Sequence, residues 1–545
     1  MYRNTTLFLL MALMACSCQR KIKADLILHH GKIYTVDSAF STAEAFAVRD
    51  GKLIAVGTND EILSRYEATN MQDAHSQPVY PGFIDAHSHF LGYGRSLFEV
   101  NLYGCNNWDE ALERVKTFAT AHPGEAWILG RGWDQNKFPG HAYPDNIALS
   151  KLFPDKPVLL QRVDGHAALA NITAMKMAIR DSAMLDLEGG TIEVKNDLCT
   201  GILIDNAVDL VTRIIPKPGA ADYEKWLVAA AQNCFRQGLT TVADCGLMYD
   251  QVAAMDTLQQ EGKLAIRLYI MLSDDTANLN RYLPTGPYKT DRMYVKGIKA
   301  YADGALGSRG ACLLAPYTDK PGWYGFLLSR QSHFDSLAAL LINTQFQLCT
   351  HAIGDSGNRM ILNVYNKYLK GKNDKRWRVE HCQVVNAADF HLFGAASIIP
   401  SVQPTHATSD MYWVRDRLGA SGRIAGAYAY KQLLAQNGWL PLGTDFPVED
   451  ISPVKTFYAA VTRKDASGFP PGGFQVENAL TREQALRGIT IWAAKAGFLE
   501  HDVGSIEVGK KADFVILDRD LMQVADSALL GAKVVGTWVG GKKED

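Results

Sequence analysis

The chain has 545 residues, 47% apolar and 21% charged, too many for one minimal core and suited to two to four domains or one large barrel with additions. A formal net charge of −2 and the lack of any long basic run exclude a protein built to neutralise nucleic-acid phosphates.

The N-terminus differs from the rest. Arg3 precedes a short apolar stretch from Leu7 to Ala15, which reads as a secretory signal because it is too short to span a bilayer. Leu13-Met14-Ala15-Cys16 resembles a bacterial lipobox, implying cleavage before Cys16 and lipid on its sulfur; Cys18 is a weaker rival. The expectation is an exported, lipid-anchored envelope protein, periplasmic or cell-surface, with residues 1–23 as signal and linker and the lipid as its sole membrane attachment. The later cysteines are odd in number and form no CxxC pair, so no disulfide framework is expected.

Strand-like runs follow at Leu26–Leu28, Lys32–Val36, Ala45–Val48 and Lys52–Val56, with Asp50-Gly51 as a hairpin turn signal. The C-terminus returns this texture at Ala512–Leu517 and Lys533–Val539. Residues 24–79 and 500–545 therefore predict one small discontinuous β-sandwich, with residues 80–499 inserted into it.

The middle alternates short apolar strands with helical stretches such as Tyr223–Gln237 and Asp335–Asn343. Eight strands are predicted: Phe83–Ala86, Thr240–Ala243, Ile266–Met271, Gly297–Ala302, Phe346–Thr350, Trp377–Glu380, Ser397–Val402 and Trp439–Gly443. Repeated alternation of this kind points to an α/β fold, a (β/α)8 TIM barrel. A doubly wound open sheet is the runner-up, without a Gly-rich phosphate loop after its first strand to support it. The interval of about 91–215 is too long for a helix or a loop and predicts an inserted subdomain over the barrel mouth.

In such a barrel the functional side chains sit at the C-terminal strand ends. Strand one ends in His87-Ser88-His89, whose i, i+2 spacing puts both imidazoles on one face. Strand four carries Lys299, strand five ends in His351, strand six in His381 and strand eight in Asp445. Singly, each has an ordinary explanation as a hydrogen-bonded core histidine or a loop cap. Lys299 is the exception, since a lysine in an apolar strand costs desolvation energy unless compensated.

Taken together, the order resembles the amidohydrolase superfamily. The phrases Pro81–His89, Lys299–Gly307, His351–Asp355 and Ser401–His406 are similar to its amidohydrolase-3 branch, which includes N-substituted formamide deformylases and exoenzyme-like proteins. Residues Ala479–Leu486 and Gly504–Asp513 also resemble the superfamily.

The resemblance implies one or two divalent metals, zinc by preference. His87, His89 and Asp445 would hold the first, His351 and His381 the second, and Lys299, carboxylated on its amine, would bridge them. A mononuclear site with Lys299 contacting substrate or a carboxylate is the alternative. The implied reaction is attack of metal-activated hydroxide on an N-acyl, N-formyl or cyclic amide, with Asp445 as general base and then acid. His166 resembles the branch's substrate-contacting histidine, and Asp303, Gln403 and His406 are further substrate-binding candidates. The substrate is a small-molecule amide, and a homodimer is common in the family. A deaminase fits less well, because the glutamate such enzymes carry three residues after the strand-five histidine is here Gly354. An isomerase or lyase on the same scaffold, or a non-catalytic surface lipoprotein that binds a ligand, completes the set of readings.

Overall fold

A computed structural model describes residues 20–179, 187–420 and 422–544, so Cys16 and Cys18 lie outside the described residues. The Asp50-Gly51 turn joins strands Ala45–Arg49 and Lys52–Gly57, with φ of 52° and 72° at its two residues. Positive φ at both central positions matches a turn to the right-handed twist of a hairpin.

These strands and Ile22–His29 and Tyr66–Asp73 form a four-stranded sheet. A second sheet, of six strands, combines Lys32–Tyr34, Thr42–Ala43 and Pro78–Pro81 with the C-terminal Phe514–Leu517, Val534–Val539 and Lys542–Glu544. Pro81 pairs with Phe514 and Tyr80 with Val515, so one ladder joins the two ends of the chain. Leu28, Phe46, Val79, Phe514 and Trp538 fill the space between the sheets.

The barrel runs in sequence order through Phe83–Ser88, Leu239–Leu247, Arg267–Ser273, Met293–Tyr301, Gln347–Ala352, Arg378–His381 and Ile399–Ser401, all parallel. The eighth strand expected at Trp439–Gly443 is reduced to a single bridge between Leu442 and Val402. Pro441 has no N–H to donate, and the Leu442 N–H goes to the Gly488 carbonyl. Closure still occurs there, because Ala86 N donates to Leu442 O and Asp445 N to His87 O. The architecture is thus a TIM-type barrel whose last strand is irregular.

Helices wrap the outside on amphipathic faces. In Ala220–Arg236 the buried positions Leu227, Ala230, Ala231 and Cys234 follow helical spacing. Between barrel strands one and two the chain builds a six-stranded sheet of its own, from Val100–Asn101 to Leu198–Asp205, flanked by Trp108–Ala121, Ile147–Leu152 and Ile172–Ala178. Trp133 and Phe138 are buried in its core, with Trp108 packed against it, and Trp127 belongs to a neighbouring cluster. These aromatics stabilise the insertion and do not line the cavity described next.

Candidate active site

A cavity of about 1280 Å³ lies between the insertion and the C-terminal end of the barrel. Its barrel side presents His89, Lys299, His351, His381, His406 and Asp445, and its insertion side presents His166. Strand parity accounts for part of this set. Asp85, His87 and His89 alternate along strand one; Asp85 accepts from His87 N at 3.0 Å and Thr444 Oγ1 at 2.6 Å, tying strand one to the segment that carries Asp445.

Parity does not account for His381. Glu380, its neighbour, points into the barrel, and His381 reaches the cavity because its φ is 74°. Asp445 is likewise left-handed, at 62°. Non-glycine residues held in this region cluster at functional sites, where surrounding structure compensates the strain.

Three of the imidazoles share one hydrogen-bonding pattern. His87 Nδ1 lies 2.6 Å from Glu380 Oε2, His381 Nδ1 lies 2.8 Å from Gln403 Oε1, and His89 Nδ1 lies 3.2 Å from the Cys245 carbonyl. Each acceptor fixes Nδ1 as the protonated nitrogen and leaves the Nε2 lone pair for the site, the arrangement that outer-sphere partners give metal-ligating histidines. His166 repeats it in the insertion, its Nδ1 2.6 Å from Asp205 Oδ1.

The remaining distances converge on Asp445. His89 Nε2 lies 3.3 Å and His87 Nε2 3.5 Å from its Oδ1, and His406 Nε2 lies 3.6 Å from its Oδ2. Ligand atoms of His87, His381 and Asp445 all fall within 4.8 Å of one another; among the described residues the only other such set is His29, His30 and Asp73, on the sandwich surface. The compact set therefore takes His87 and Asp445 from the expected first-metal group and His381 from the second. The His351 and His381 rings are 4.6 Å apart, and the His351 and His166 rings 4.9 Å.

Electrostatics keep His87, His351 and His381 unprotonated and Asp445 ionised. Burial, followed by the nearby Lys299 cation, pushes His87 down to about 4. Burial and neighbouring imidazoles hold His351 and His381 well below the ordinary value. Burial pushes Asp445 up, but His89, His87 and His381 outweigh it and hold the carboxylate well below its usual range. Burial also pushes Glu380 up, yet Arg378 and His87 keep it ionised. His351 Nε2 and Asp445 Oδ1 are buried without a hydrogen-bond partner among the described residues. Unpaired buried acceptors of this kind are costly, and neutral nitrogen with carboxylate oxygen suits a zinc-like ion. The donor set fits a divalent metal.

Lys299 is fully buried, with Nζ 3.4 Å from His87 Nε2 and 4.8 Å from the centre of the Tyr301 ring. No carboxylate lies within ion-pair distance of it among the described residues. Asp303 is sealed below the cavity, where its carboxylate accepts from the backbone N–H groups of Cys312, Ile353 and Gly354. It holds the loop after strand five and meets no cavity space. Gln403 is also outside the cavity and orients His381. Of the substrate-contact candidates, His166 and His406 line the open space.

Sequence reasoning missed Glu380, Arg378 and Asp205. Arg378 and Glu380 form a fully buried pair at 2.7 Å beneath His87. The alternation Arg378, Glu380 on an apolar strand was the signal that two charges share its inner face. Asp205 had only a weak signal, a lone acid ending an apolar run.

The family model described as the amidohydrolase family matches residues 71–543. The protein LONG AFTER FAR-RED 3 of Arabidopsis thaliana is 33% identical over 96% of this chain and 92% of its own. The N-substituted formamide deformylase of Arthrobacter pascens is 24% identical over 95% of this chain and 97% of its own. An uncharacterized metal-dependent hydrolase from Pyrococcus horikoshii superposes with a TM-score of 0.75 at 26% identity, covering 92% of this chain and 99% of that one. Atrazine chlorohydrolase TrzN from Arthrobacter aurescens, complexed with zinc, shares the fold at a TM-score of 0.50 and 13% identity, over 95% of this chain and 94% of that one.

Proposed function

The chain belongs to the amidohydrolase family, and from that premise we propose that this metal-dependent hydrolase cleaves a C–N bond in an N-acyl or N-formyl amide or a cyclic amide. The observation that carries the reading is the convergence of imidazoles on the Asp445 carboxylate, with His351 Nε2 and Asp445 Oδ1 buried without a hydrogen-bond partner among the described residues. The deformylase relative of Arthrobacter pascens supports the formamide class.

In this reading His87, His89 and Asp445 hold one divalent ion, zinc by donor type, and His351 and His381 a second. Lys299 Nζ lies 3.4 Å from His87 Nε2, and carboxylation of its amine would turn a cation without an ion-pair partner into an anion beside that ligand. A bound ion supplies Lewis acidity, lowering the pKa of a water and polarising a carbonyl. Asp445 takes a proton from the attacking water and returns it to the departing nitrogen. His406, beside Asp445 Oδ2, and His166, beside His351, contact the substrate from opposite walls. Asp303 and Gln403 act through the groups they position.

The test is amine release from panels of N-formyl, N-acetyl and cyclic amides by the chain starting after Cys18, before and after chelation. Activity lost on chelation and restored by zinc supports the proposal. Turnover indifferent to metal, or no turnover by a zinc-replete sample, removes it.

A further inference from the structure

The insertion also presents to the cavity a cation that makes no ion pair among the described residues. Arg131 lies near the end of strand Ile128–Trp133 and lines the cavity. The next residue, Gly132, has φ of 113°, and pairing with the neighbouring strand shifts register between Arg131 and Trp133. This is a β-bulge, a device that re-aims a side chain beside a functional site. Only glycine suits position 132, since a β-carbon there would meet the Tyr103 ring at 2.5 Å.

Tyr103 uses that space to lie alongside Arg131. Its hydroxyl accepts from Arg131 Nε at 3.2 Å and donates to the Pro447 carbonyl, two residues beyond Asp445. Arg131 Nη2 donates to Val163 O at 3.3 Å, and the guanidinium passes over Gly165, where a β-carbon would stand 3.1 Å from Nη2. The group is thus held on two sides, next to His166 and tethered to the loop that carries Asp445.

Both partners are neutral oxygens, and Arg131 makes no ion pair among the described residues. The carboxylates of Asp134 and Asp164 turn to Arg162, with which both pair, and Glu449 accepts from Ser409, so none of the three bonds to Arg131. Nη1 has no hydrogen-bond partner among the described residues. A fixed guanidinium with donors to spare is a planar fork that matches a carboxylate and binds it more strongly than a neutral group.

We infer that Arg131 is a carboxylate-binding subsite, and that the substrates are amides bearing a free carboxylate, such as N-acylated amino acids or cyclic amides with an acid substituent. The inference rests on the amide-hydrolase reading and names its substrate class.

The test compares N-formyl and N-acetyl amino acids with their carboxamide-capped forms, on zinc-replete wild type, Arg131→Met and Arg131→Lys, by turnover and by calorimetric binding. Wild type should favour the free carboxylates by about tenfold in kcat/KM, through KM, as expected for a charge-assisted pair. Arg131→Met should collapse that preference, and Arg131→Lys should restore part of it, which a folding defect would not do. Zinc content reports separately on the metal site. Carboxylates that bind wild type and lose that binding in Arg131→Met support the inference even without turnover, and lack of turnover then counts against amide hydrolysis alone. Equal binding of free and capped forms, a preference that survives Arg131→Met, or no binding of carboxylates overturns it.

Discussion

The Asp205 carboxylate occupies the space that a β-carbon would need at Gly304, so an insertion residue and a barrel residue share one volume. Gly310 is constrained by the same carboxylate. Asp205 is thereby wedged against the end of barrel strand four while it holds His166 Nδ1. Gly304→Ala should displace Asp205 and lower kcat by about tenfold, the scale of outer-sphere defects. Asp205→Asn should do the same with normal zinc content. Full kcat in Asp205→Asn would show that His166 does not depend on the charge of its partner.

Glu380 orients His87 and neutralises Arg378 in a fully buried network. Glu380→Gln should weaken zinc binding by about 10–100-fold in a chelator competition. It should also cost roughly 3–5 kcal/mol in unfolding experiments, because Arg378 is left buried without an anion. Unchanged zinc affinity would show that His87 is oriented by other contacts.

Lys299 bears on metal number. Elemental analysis of the wild type should give about two zinc per chain with bicarbonate present, two being the number a bridged site holds. Lys299→Met should fall to one and lose the bicarbonate response. One zinc in both proteins, insensitive to bicarbonate, would assign Lys299 to substrate contact.

Asp520 links the two ends of the chain. It accepts from Lys32 Nζ at 2.7 Å, Tyr34 OH at 2.8 Å and Tyr80 OH at 3.1 Å. Burial pushes its carboxyl up, but the hydrogen bonds from Lys32 and Tyr34 outweigh burial and hold it below the ordinary value. A carboxyl lowered on folding stabilises above its unfolded pKa of about 3.9 and loses that contribution as pH falls through the folded value. Asp520→Asn should therefore cost about 2 kcal/mol at pH 7, and the difference from wild type should shrink progressively as the pH falls below the unfolded value of about 3.9. A constant difference across that range would assign the effect to packing.

Lipid anchorage is tested by fractionation. Wild type should partition with membranes after expression in a bacterium that processes lipoproteins, and Cys16→Ala should not. Membrane association that persists in Cys16→Ala but is lost in Cys18→Ala would move the site.

The order His87, His89, Lys299, His351, His381, Asp445 was legible in the chain because strand ends recur at readable intervals and the i, i+2 spacing of strand one fixes a shared face. The Asp50-Gly51 hairpin was legible for a local reason, the positive φ that its turn requires. The eighth strand stands at the expected place but is reduced to one bridge, because its apolar run says nothing of where the Leu442 N–H is spent. Glu380 beneath His87, Gln403 behind His381 and Asp205 behind His166 belong to contacts 22 to 293 residues apart in sequence. No local pattern encodes such pairings. The chain by itself determined which donor types stand at which strand ends; only the tertiary structure decided which nitrogen each imidazole offers and which charges stay unpaired, because both depend on partners that folding brings together.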